Sequence, residues 1–353
     1  MKLIPEETPI IILAESCFGA HESKTGLGVI RYGKWPISGV IDSTQTGKTV
    51  QQVTGIDCNS MIVGSVGEAM TLHPKPKALL VGTAPMGGGL PESFRNIIRQ
   101  AIEAKLHIIS GLHIFLNQQA DLKQLAQTHN VMLWDVREVQ GENVINRQLP
   151  RPEKTKVITM VGSDCSVGKM TAALEINRAI QQRGQSSAFV ATGQTGIMIS
   201  GAGVPLDRAI GDFMAGLLEQ EIQRTIAASN PEWIVVEGQG SLIHPAYSGV
   251  TISLVHGSAP DGMIFCHNPK LKTLHNFEKV AMPPLSALIE IYESVAGWLK
   301  PAKVHGICLN TASFSDTEAQ ELIERYHSET DLPVTDPVRY GVAPILNALF
   351  QVK

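Results

Sequence analysis

The residues best suited to hold a phosphate lie in a short run of small residues that precedes a lysine. Val157–Val161 is an apolar run with the length of a buried strand. It leads into a turn rich in small residues, Gly162–Gly168, and then into Lys169, which is followed by a helical pattern. Small residues let consecutive backbone N–H groups turn inward around an anion, and a helix N-terminus and a lysine add positive charge. The stretch therefore predicts a phosphate-binding loop.

This loop departs from the standard P-loop pattern at two points. Five residues separate Gly162 from Gly168, whereas G-x-x-x-x-G-K-[ST] has four. Met170 occupies the position of the hydroxyl that ligates magnesium, and Thr171 lies one place later. Because a thioether cannot replace a hydroxyl on a hard cation, the loop favours phosphate binding over magnesium nucleotide hydrolysis. The predicted phosphate-binding residues are Gly162, Ser163, Asp164, Cys165, Ser166, Val167, Gly168, Lys169, Met170 and Thr171.

An acidic residue ends another apolar run in the same half of the chain. Trp233–Val236 predicts a strand, and Glu237 follows it in the glycine-rich sequence VEGQGS. Beside a phosphate loop, a strand-end carboxylate is in the usual place to order a metal ion or a water molecule. The alternative is an acidic residue on an ordinary loop. The glycines beside Glu237 favour the functional interpretation.

Strands and helices alternate through the first 140 or so residues. The predicted strands are Pro9–Glu15, Ile37–Ile41, Ser60–Gly64, Lys77–Gly82, His107–Ser110 and Val131–Val136. The predicted helices are Glu92–Ala104 and Asp121–His129. This alternation predicts an α/β domain with a mostly parallel sheet. The segment from Lys24 to Gly28 has no apolar period and is predicted to be a polar loop.

Polar and glycine-rich positions follow these strands, where α/β sheets bind their ligands. Asp42 follows the second strand, where a dinucleotide-binding fold has its ribose-binding acid, but no G-x-G-x-x-G follows the first strand. The alternative for Asp42–Thr49 is a polar loop with a helix cap. Gly87–Gly89 gives a backbone that can approach a ligand closely, and Ser110 and His113 follow a later strand.

The polar segment 140–154 contains two prolines and marks a domain boundary. We therefore predict domains at residues 1–150 and 151–353. In the second domain, a predicted strand at Ser187–Thr192 leads into GQTGIMISGAGVP, which is predicted to be a binding loop. Asp207 is predicted to cap a long helix, and LIHPAYSG after Glu237 to form a polar loop. Ser315 with Glu318 predicts a capping box.

The composition limits the function classes. A chain of 353 residues, 43% hydrophobic and 18% charged, is typical of two globular domains. A net charge of −4 argues against a nucleic-acid partner, and no apolar stretch has membrane-spanning length. Five scattered cysteines and the absence of a visible signal peptide favour a reducing, cytoplasmic location. We expect a small-molecule substrate and no membrane partner, and amphipathic helices leave room for a homo-oligomer.

Two resemblances follow from the motifs. GSDCSVGK with the later VVEGQG resembles the dethiobiotin synthetase branch of P-loop proteins, over the second domain only. A resemblance that spans nearly the whole chain rests on GLGVIRYG, VIDSTQTGKT, SGLHIFL, GSDCSVGKMT, FVATGQTGI, VEGQGSLIHPAYSGV and DPVRYG. These stretches resemble a family with a Rossmann-like N-terminal domain and a P-loop NTPase-like C-terminal α/β domain. The family has long been of unknown function, and some members are D-glutamate N-acetyltransferases.

The second resemblance implies an N-acetyltransferase with acetyl-CoA as co-substrate. Acetyl-CoA carries a pyrophosphate and a 3′-phosphate, so a phosphate loop is useful without hydrolysis, and Met170 needs no magnesium. Acetyl transfer to an amine needs a general base, a donor for the thioester oxyanion and cations for the substrate carboxylates. We accordingly expect no metal site.

On this interpretation, our own hypothesis assigns roles to particular residues. Glu237 is the expected base or base-orienting residue, with His113 and His244 as rival bases. The expected substrate-binding residues are Arg31, Asp42, Gln194, Arg208, Gln239 and Tyr247. Arg31 and Arg208 are the candidates for a substrate carboxylate. Cys165 is either an acyl acceptor or a small packing residue.

Other functions fit parts of the same sequence. A kinase or ligase that uses ATP with magnesium is favoured by the five-residue spacing and Glu237, and disfavoured by Met170. A non-enzymatic nucleotide-binding regulator is possible because a loop binds phosphate whether or not chemistry follows. A nicotinamide-dependent epimerase rests only on the strand alternation of the N-terminal half.

Overall fold

The computed structural model describes residues 4–83 and 89–351. Of the predicted glycine run, Gly89 is described, whereas Gly87 and Gly88 lie outside the described residues. Within the described ranges, no helix is both long and apolar enough to cross a lipid bilayer.

Strands and helices alternate along the described residues. In chain order, the strands are β1 Ile10–Leu13, β2 Ile37–Ile41, β3 Met61–Val63, β4 Ala78–Val81, β5 His107–Ser110, β6 Leu133–Asp135, β7 Lys156–Gly162, β8 Ser187–Val190, β9 Trp233–Val236, β10 Gly262–His267, β11 Thr273–Leu274, β12 Phe277–Ala281, β13 Lys303–Leu309 and β14 Val334–Thr335. The α-helices are α1 Lys24–Tyr32, α2 Val50–Thr54, α3 Val66–Ala69, α4 Glu92–Glu103, α5 Ala120–His129, α6 Lys169–Gln182, α7 Gln194–Ser200, α8 Met214–Ser229, α9 Ser248–Ser258, α10 Leu285–Gly297, α11 Asp316–Thr330 and α12 Ala343–Leu349.

The chain packs into two compact units, each made of two separate segments of the sequence. The first unit comprises Met1–Val139 and Gln194–Pro205, and the second comprises Gln140–Gly193 and Leu206–Lys353. The segment that contains α7 therefore belongs to the first unit, although residues of the second unit flank it on both sides in the chain.

The first unit contains a parallel sheet with the strand order β3-β2-β1-β4-β5-β6. All four residues of β1 and of β4 are buried, because helices cover a parallel sheet on both faces. The strand order reverses between β1 and β4, and this reversal is the point where open α/β sheets have their ligand crevice.

The second unit contains a parallel sheet with the order β14-β13-β10-β7-β9-β8 and a small antiparallel hairpin of β11 and β12. The strand, loop and helix predicted around Lys169 are confirmed as β7, the loop and α6. Gly184, with φ +80°, follows the end of α6 as predicted. The predicted α/β class with parallel sheets is therefore confirmed in both units.

The prediction of a polar loop at Lys24–Gly28 was wrong, because these residues form the first part of helix α1. Two of its buried positions are Gly26 and Gly28, which carry no apolar side chain and so leave no helical period in the sequence. The Gly26 N–H donates to the Gly82 carbonyl at 2.8 Å. A Cβ at Gly82 would lie 2.5 Å from Ile12 Cγ2 and 3.2 Å from Gly26 Cα. Bare backbone at both glycines therefore lets α1 pack closely on β4.

Two further predictions in the second half were wrong. Asp207 lies in a 3-10 turn, Leu206–Arg208, and the long helix α8 begins only at Met214. Helix α7 replaces most of the loop predicted at GQTGIMISGAGVP, whereas the polar loop predicted at LIHPAYSG is confirmed through Tyr247 and is followed by the unpredicted helix α9. Nearly all of α7 is buried and the apolar residues of α9 are spread around it, so neither has the one-sided pattern that reveals a helix. The capping box of Ser315 and Glu318 is confirmed at the start of α11.

Asp42 organises the loops around the end of β2. Its Oδ1 accepts from the N–H groups of Ser16 and Thr44, at 3.1 and 3.0 Å, and its Oδ2 accepts from the Phe18 N–H at 2.9 Å. The side chain is fully buried. Both carboxylate oxygens therefore serve the protein's own backbone, which favours the predicted alternative of a cap over substrate binding.

We expect Asp42→Ala to lower the free energy of unfolding by on the order of 3 kcal/mol, because it leaves buried N–H groups without acceptors. Asp42→Asn keeps one acceptor oxygen and should lose less. The measurement is urea unfolding followed by circular dichroism. Asp57→Ala, at an exposed aspartate of the same unit, is the control and should change little. Equal effects at the two positions would contradict this role.

Candidate functional site

The loop between β7 and α6 has the backbone shape that surrounds an anion. Ser166 and Gly168 adopt left-handed conformations, with φ +56° and +104°, just before α6 begins at Lys169. Left-handed residues within a loop of small residues allow neighbouring N–H groups to face one anion. At the other end of the loop, a Cβ at Gly162 would lie 2.7 Å from the Cys266 carbonyl oxygen, so only glycine fits there.

Lys169 is folded back onto this loop. Its ammonium Nζ donates to the Asp164 carbonyl oxygen at 2.6 Å, and the residue is only 6% exposed. Burial lowers the pKa of Lys169 because the charged form loses its hydration. The next two residues, Met170 and Thr171, are half-buried on the first turn of α6.

Glu237 lies beside Lys169. A Cβ at Gly238 would overlap the Met160 carbonyl and lie 2.6 Å from Lys169 Cδ, so glycine lets the chain after β9 pass next to the lysine stem. Glu237 is 5% exposed, and its Oε2 accepts from the N–H groups of Thr192 and Gly193 at 2.9 and 3.1 Å. No hydrogen bond joins its Oε1 to any residue in 4–83 or 89–351.

Burial raises the pKa of Glu237 to about 7, although the two backbone N–H donors and Lys169 oppose that rise. A carboxyl group with this pKa exchanges a proton near neutral pH, which suits a general acid or base. The sequence prediction of a functional acid at this strand end therefore gains a physical basis.

Asp164, Cys165 and His244 form a group with donor atoms within 4.8 Å of one another. The His244 hydrogen bonds do not suit a metal ligand. Its Nδ1 accepts from the Ala246 N–H at 3.2 Å, so its proton resides on Nε2 and is donated to the His275 carbonyl at 3.0 Å. A metal-binding imidazole offers the lone pair of one nitrogen to the metal, whereas here Nε2 carries the proton and the Nδ1 lone pair accepts from Ala246. We therefore interpret this group as a set of hydrogen bonds that connects neighbouring loops.

The same hydrogen bonds disfavour His244 as the general base. The ring is 1% exposed, stacks on Tyr247 at 4.5 Å and meets Phe277 edge-on at 5.1 Å. Asp164 Oδ2 accepts from the His275 N–H at 2.6 Å and so ties the phosphate loop to the turn between β11 and β12. His244 and Asp164 thus hold neighbouring loops in place.

Two tyrosines and a histidine support the phosphate loop, and the sequence analysis did not identify them. The Tyr292 hydroxyl donates to the Gly162 carbonyl at 2.8 Å, and burial raises its pKa to about 12, so it stays protonated. His267 Nδ1 lies 2.8 Å from Ser163 Oγ, and its Nε2 lies 3.1 Å from the Tyr326 hydroxyl. Burial lowers the pKa of His267 to about 4, which keeps the ring neutral at pH 7. No spacing signal links these residues, because their contacts depend on the strand order.

The other predicted residues are distributed over both units. Arg31, Asp42, His113 and Gln194 belong to the first unit, where Arg31 and His113 are exposed and Gln194 is buried. Arg208, Gln239 and Tyr247 belong to the second. There, a Cβ at Gly193 would overlap the Gln239 amide, so Gln239 lies beside the backbone that binds Glu237. Arg208 is exposed in its 3-10 turn.

A cavity of about 310 Å³ lies elsewhere in the second unit, lined by residues that precede β7 and β10. Its basic groups are already engaged: Arg151 donates to the Ser258 and Ala259 carbonyls, and Lys300 pairs with Asp261 at 2.5 Å. Because these residues lie at the amino ends of the strands, the cavity is separate from the phosphate loop at the carboxyl ends.

Glu237 should make stability depend on pH. The pKa of Glu237 is about 7 in the folded protein, whereas the ordinary pKa of a glutamate is 4.5. Between pH 4.5 and pH 7, the folded protein therefore holds a proton that the unfolded chain has released. Stability then falls as pH rises from about 4.5 to about 7. We expect Glu237→Gln to remove this loss, which is roughly 3 kcal/mol.

The measurement is urea unfolding of both proteins at pH 5 and pH 8. Glu219→Gln is the matched control, because the Glu219 carboxylate also accepts two backbone N–H bonds in the second unit. The same pH dependence in the wild type and in Glu237→Gln would contradict the shifted pKa.

Comparison with known proteins gives a consistent assignment. The C-terminal P-loop domain of DUF1611, a domain of unknown function, matches residues 145–346, and the Rossmann-like DUF1611_N domain matches residues 43–139. A D-glutamate N-acetyltransferase from Tritonibacter scottomollicae is 38% identical over 277 residues, or 78% of this chain and 82% of that protein. Another from a Pseudoalteromonas species is 37% identical over 283 residues, or 80% of this chain and 83% of that protein.

A crystal structure of a DUF1611 family protein from Anabaena variabilis has the same fold. It matches with a TM-score of 0.91 at 37% identity and covers 98% of this chain and 100% of that one. The Rossmann-like and P-loop domains expected from the motifs are thereby confirmed, and the chain belongs to the DUF1611 family.

Proposed function

We propose that this protein is an N-acetyltransferase that moves the acetyl group of acetyl-CoA to the amine of a small acidic amino acid of the D-glutamate type. The names of the two relatives support the reaction class. The observation that carries the proposal is the pairing of a phosphate loop with a buried glutamate whose pKa is about 7. The loop suits the phosphates of the donor, and the glutamate suits deprotonation of the acceptor amine.

The phosphate loop binds CoA in this proposal without hydrolysing anything. Its left-handed residues before α6 direct N–H groups toward an anion, and the α6 N-terminus adds partial positive charge. Lys169 exchanges its hydrogen bond to the Asp164 carbonyl for one to a phosphate oxygen. Met170 leaves the usual magnesium position without a hydroxyl, and a phosphate held only by lysine and backbone N–H groups does not need one.

Glu237 acts as the general base in this proposal. The acceptor amine attacks the thioester carbon, the C–S bond breaks, and CoA leaves as the thiol form after proton transfer. A neutral amine is required, so a carboxylate must accept the proton that the ammonium or the attacking amine releases. Glu237 Oε2 is occupied by two backbone N–H groups, which leaves Oε1 to accept that proton.

Replacement of the loop lysine tests the donor site. We expect Lys169→Met to weaken acetyl-CoA binding by about 10- to 100-fold, because it removes a charge-assisted hydrogen bond to phosphate. The measurement is calorimetric titration with acetyl-CoA and, separately, with ATP plus magnesium. Lys270→Met, at an exposed lysine of the same unit, is the control.

Unchanged acetyl-CoA affinity in Lys169→Met would contradict the assignment of the loop to CoA. Binding of ATP only with magnesium, and no binding of acetyl-CoA, would instead support a kinase or ligase.

Replacement of the candidate base tests the chemistry. We expect Glu237→Gln to lower kcat by about 10²- to 10⁴-fold while acetyl-CoA affinity stays similar, because the amide cannot accept the proton. For the wild type, kcat/KM should rise with pH through about 7 as Glu237 loses its proton, and the variant should lack that rise.

The assay follows CoA release with a panel of D- and L-amino acids, and Glu219→Gln again serves as the control. A full rate in Glu237→Gln would assign the base elsewhere.

A further inference from the structure

The first unit contains a buried hydroxyl that has no hydrogen-bond partner among residues 4–83 and 89–351. Thr83 follows the end of β4 after a single residue, Gly82. It is 2% exposed, and its Oγ1 makes no hydrogen bond to any residue in the described ranges. A buried hydroxyl in this state lowers stability, so its presence suggests a partner that is not part of the chain. Because β4 borders the reversal of strand order, Thr83 lies at the expected ligand crevice.

The N-terminus of α1 lies at the same point. Its first turn docks on the end of β4 through the Gly26 N–H, which donates to the Gly82 carbonyl at 2.8 Å. Ser23 precedes the helix but does not cap it, since its hydroxyl donates to the Ala20 carbonyl and accepts from the Gly19 N–H. The partial positive charge of a nine-residue helix therefore adjoins the unpartnered hydroxyl.

A buried polar cluster continues from α1 along this edge of the sheet. Thr25 Oγ1, on the first turn of α1, lies 3.1 Å from Thr195 Oγ1 and 3.5 Å from the Gln194 amide. With the amide oriented to satisfy both of its ends, Gln194 donates to the Gly111 carbonyl and accepts from Arg137 Nη2 at 3.1 Å. Arg137 is 8% exposed, and its Nε donates to the Gly111 carbonyl at 2.6 Å. The Arg137 guanidinium is thus held against the Gly111 carbonyl and beside the Gln194 amide.

Three motif stretches meet in this cluster. Thr25 borders GLGVIRYG, Gly111 belongs to SGLHIFL and Gln194 belongs to FVATGQTGI. A Cβ at Gly111 would overlap the Gln194 side chain, so these two motifs fit together only with glycine there.

We propose that Thr25, Thr83, Arg137 and Gln194, together with the first turn of α1, form a binding site for a carboxylate of the acidic amino acid substrate. Hydroxyl donors, a helix N-terminus and a guanidinium are the groups that complement a carboxylate. The identity of the substrate rests on the proposed function, whereas the carboxylate chemistry rests on these residues. The site replaces exposed Arg31 and Arg208 as the place where a substrate carboxylate is recognised.

Thr83→Val tests the site because it removes the hydroxyl and keeps the shape. Affinity for D-glutamate, measured by calorimetry in the presence of CoA, should fall about tenfold or more with loss of a hydrogen bond to a charged group. Glutarate, a dicarboxylate without the amine, should show the same loss. The unfolding temperature of the ligand-free variant should stay the same or rise, because the hydroxyl had no partner to lose.

Ser38→Ala is the matched control, since the Ser38 hydroxyl is also buried without a partner among the described residues but lies near the start of β2. It should stay folded and bind D-glutamate as the wild type does. Equal affinity of the wild type and Thr83→Val for both acids would overturn the site, as would the absence of any binding to the wild type.

The test separates the site from the reaction. If the wild type transfers acetyl to D-glutamate but Thr83→Val binds it normally, the proposed function stands and the carboxylate site is overturned. If Thr83→Val loses affinity for both acids but the wild type transfers no acetyl group, the carboxylate site stands and the proposed function fails.

Discussion

The second unit is organised around Lys169 and Glu237, two ionisable side chains of opposite charge that are buried next to each other. Lys169 and Glu237 are both at least nine-tenths buried, and burial shifts the pKa of each toward its neutral form. Their mutual attraction opposes both shifts. The glycine at position 238 makes this proximity possible, because any Cβ there would meet the lysine stem. A phosphate next to Lys169 would compete with Glu237 for its charge, which couples anion binding to the protonation state of the carboxyl group.

Glu237 differs from the other carboxylates that follow strands in this fold. Asp42, Asp135 and Asp336 each use both oxygens to accept hydrogen bonds from neighbouring loops. Both oxygens of each aspartate are therefore engaged by backbone N–H groups, as is common for an aspartate at the start of a loop. The longer side chain of Glu237 accepts from two loop N–H groups with Oε2 alone, and its Oε1 makes no hydrogen bond to the described residues. The same hydrogen-bonding arrangement thus leaves Glu237 Oε1 without a hydrogen bond to the described residues, whereas both oxygens of the three aspartates are engaged.

The sequence was informative where the signal is local. The strand, glycine loop, lysine and helix around Lys169 were predicted correctly, because each depends on residues close in the chain. Helix α1 was missed because Gly26 and Gly28 occupy its buried face, and α7 because it is buried on nearly all sides. The supports of the phosphate loop by His267 and Tyr292 were also missed, since their contacts depend on which strands and helices become neighbours.

Met170 bears on which compound the phosphate loop binds, a magnesium nucleotide or acetyl-CoA. In a magnesium nucleotide site, the hydroxyl after the lysine holds the cation that bridges the terminal phosphates. Here that position is a half-buried thioether, and Glu237, one of the acids beside the lysine, is a carboxyl group whose burial raises its pKa to about 7. Such a group is a weak magnesium ligand when protonated, because it has lost the charge that a hard cation prefers. The features that weaken a magnesium site therefore suit proton transfer beside a bound phosphate.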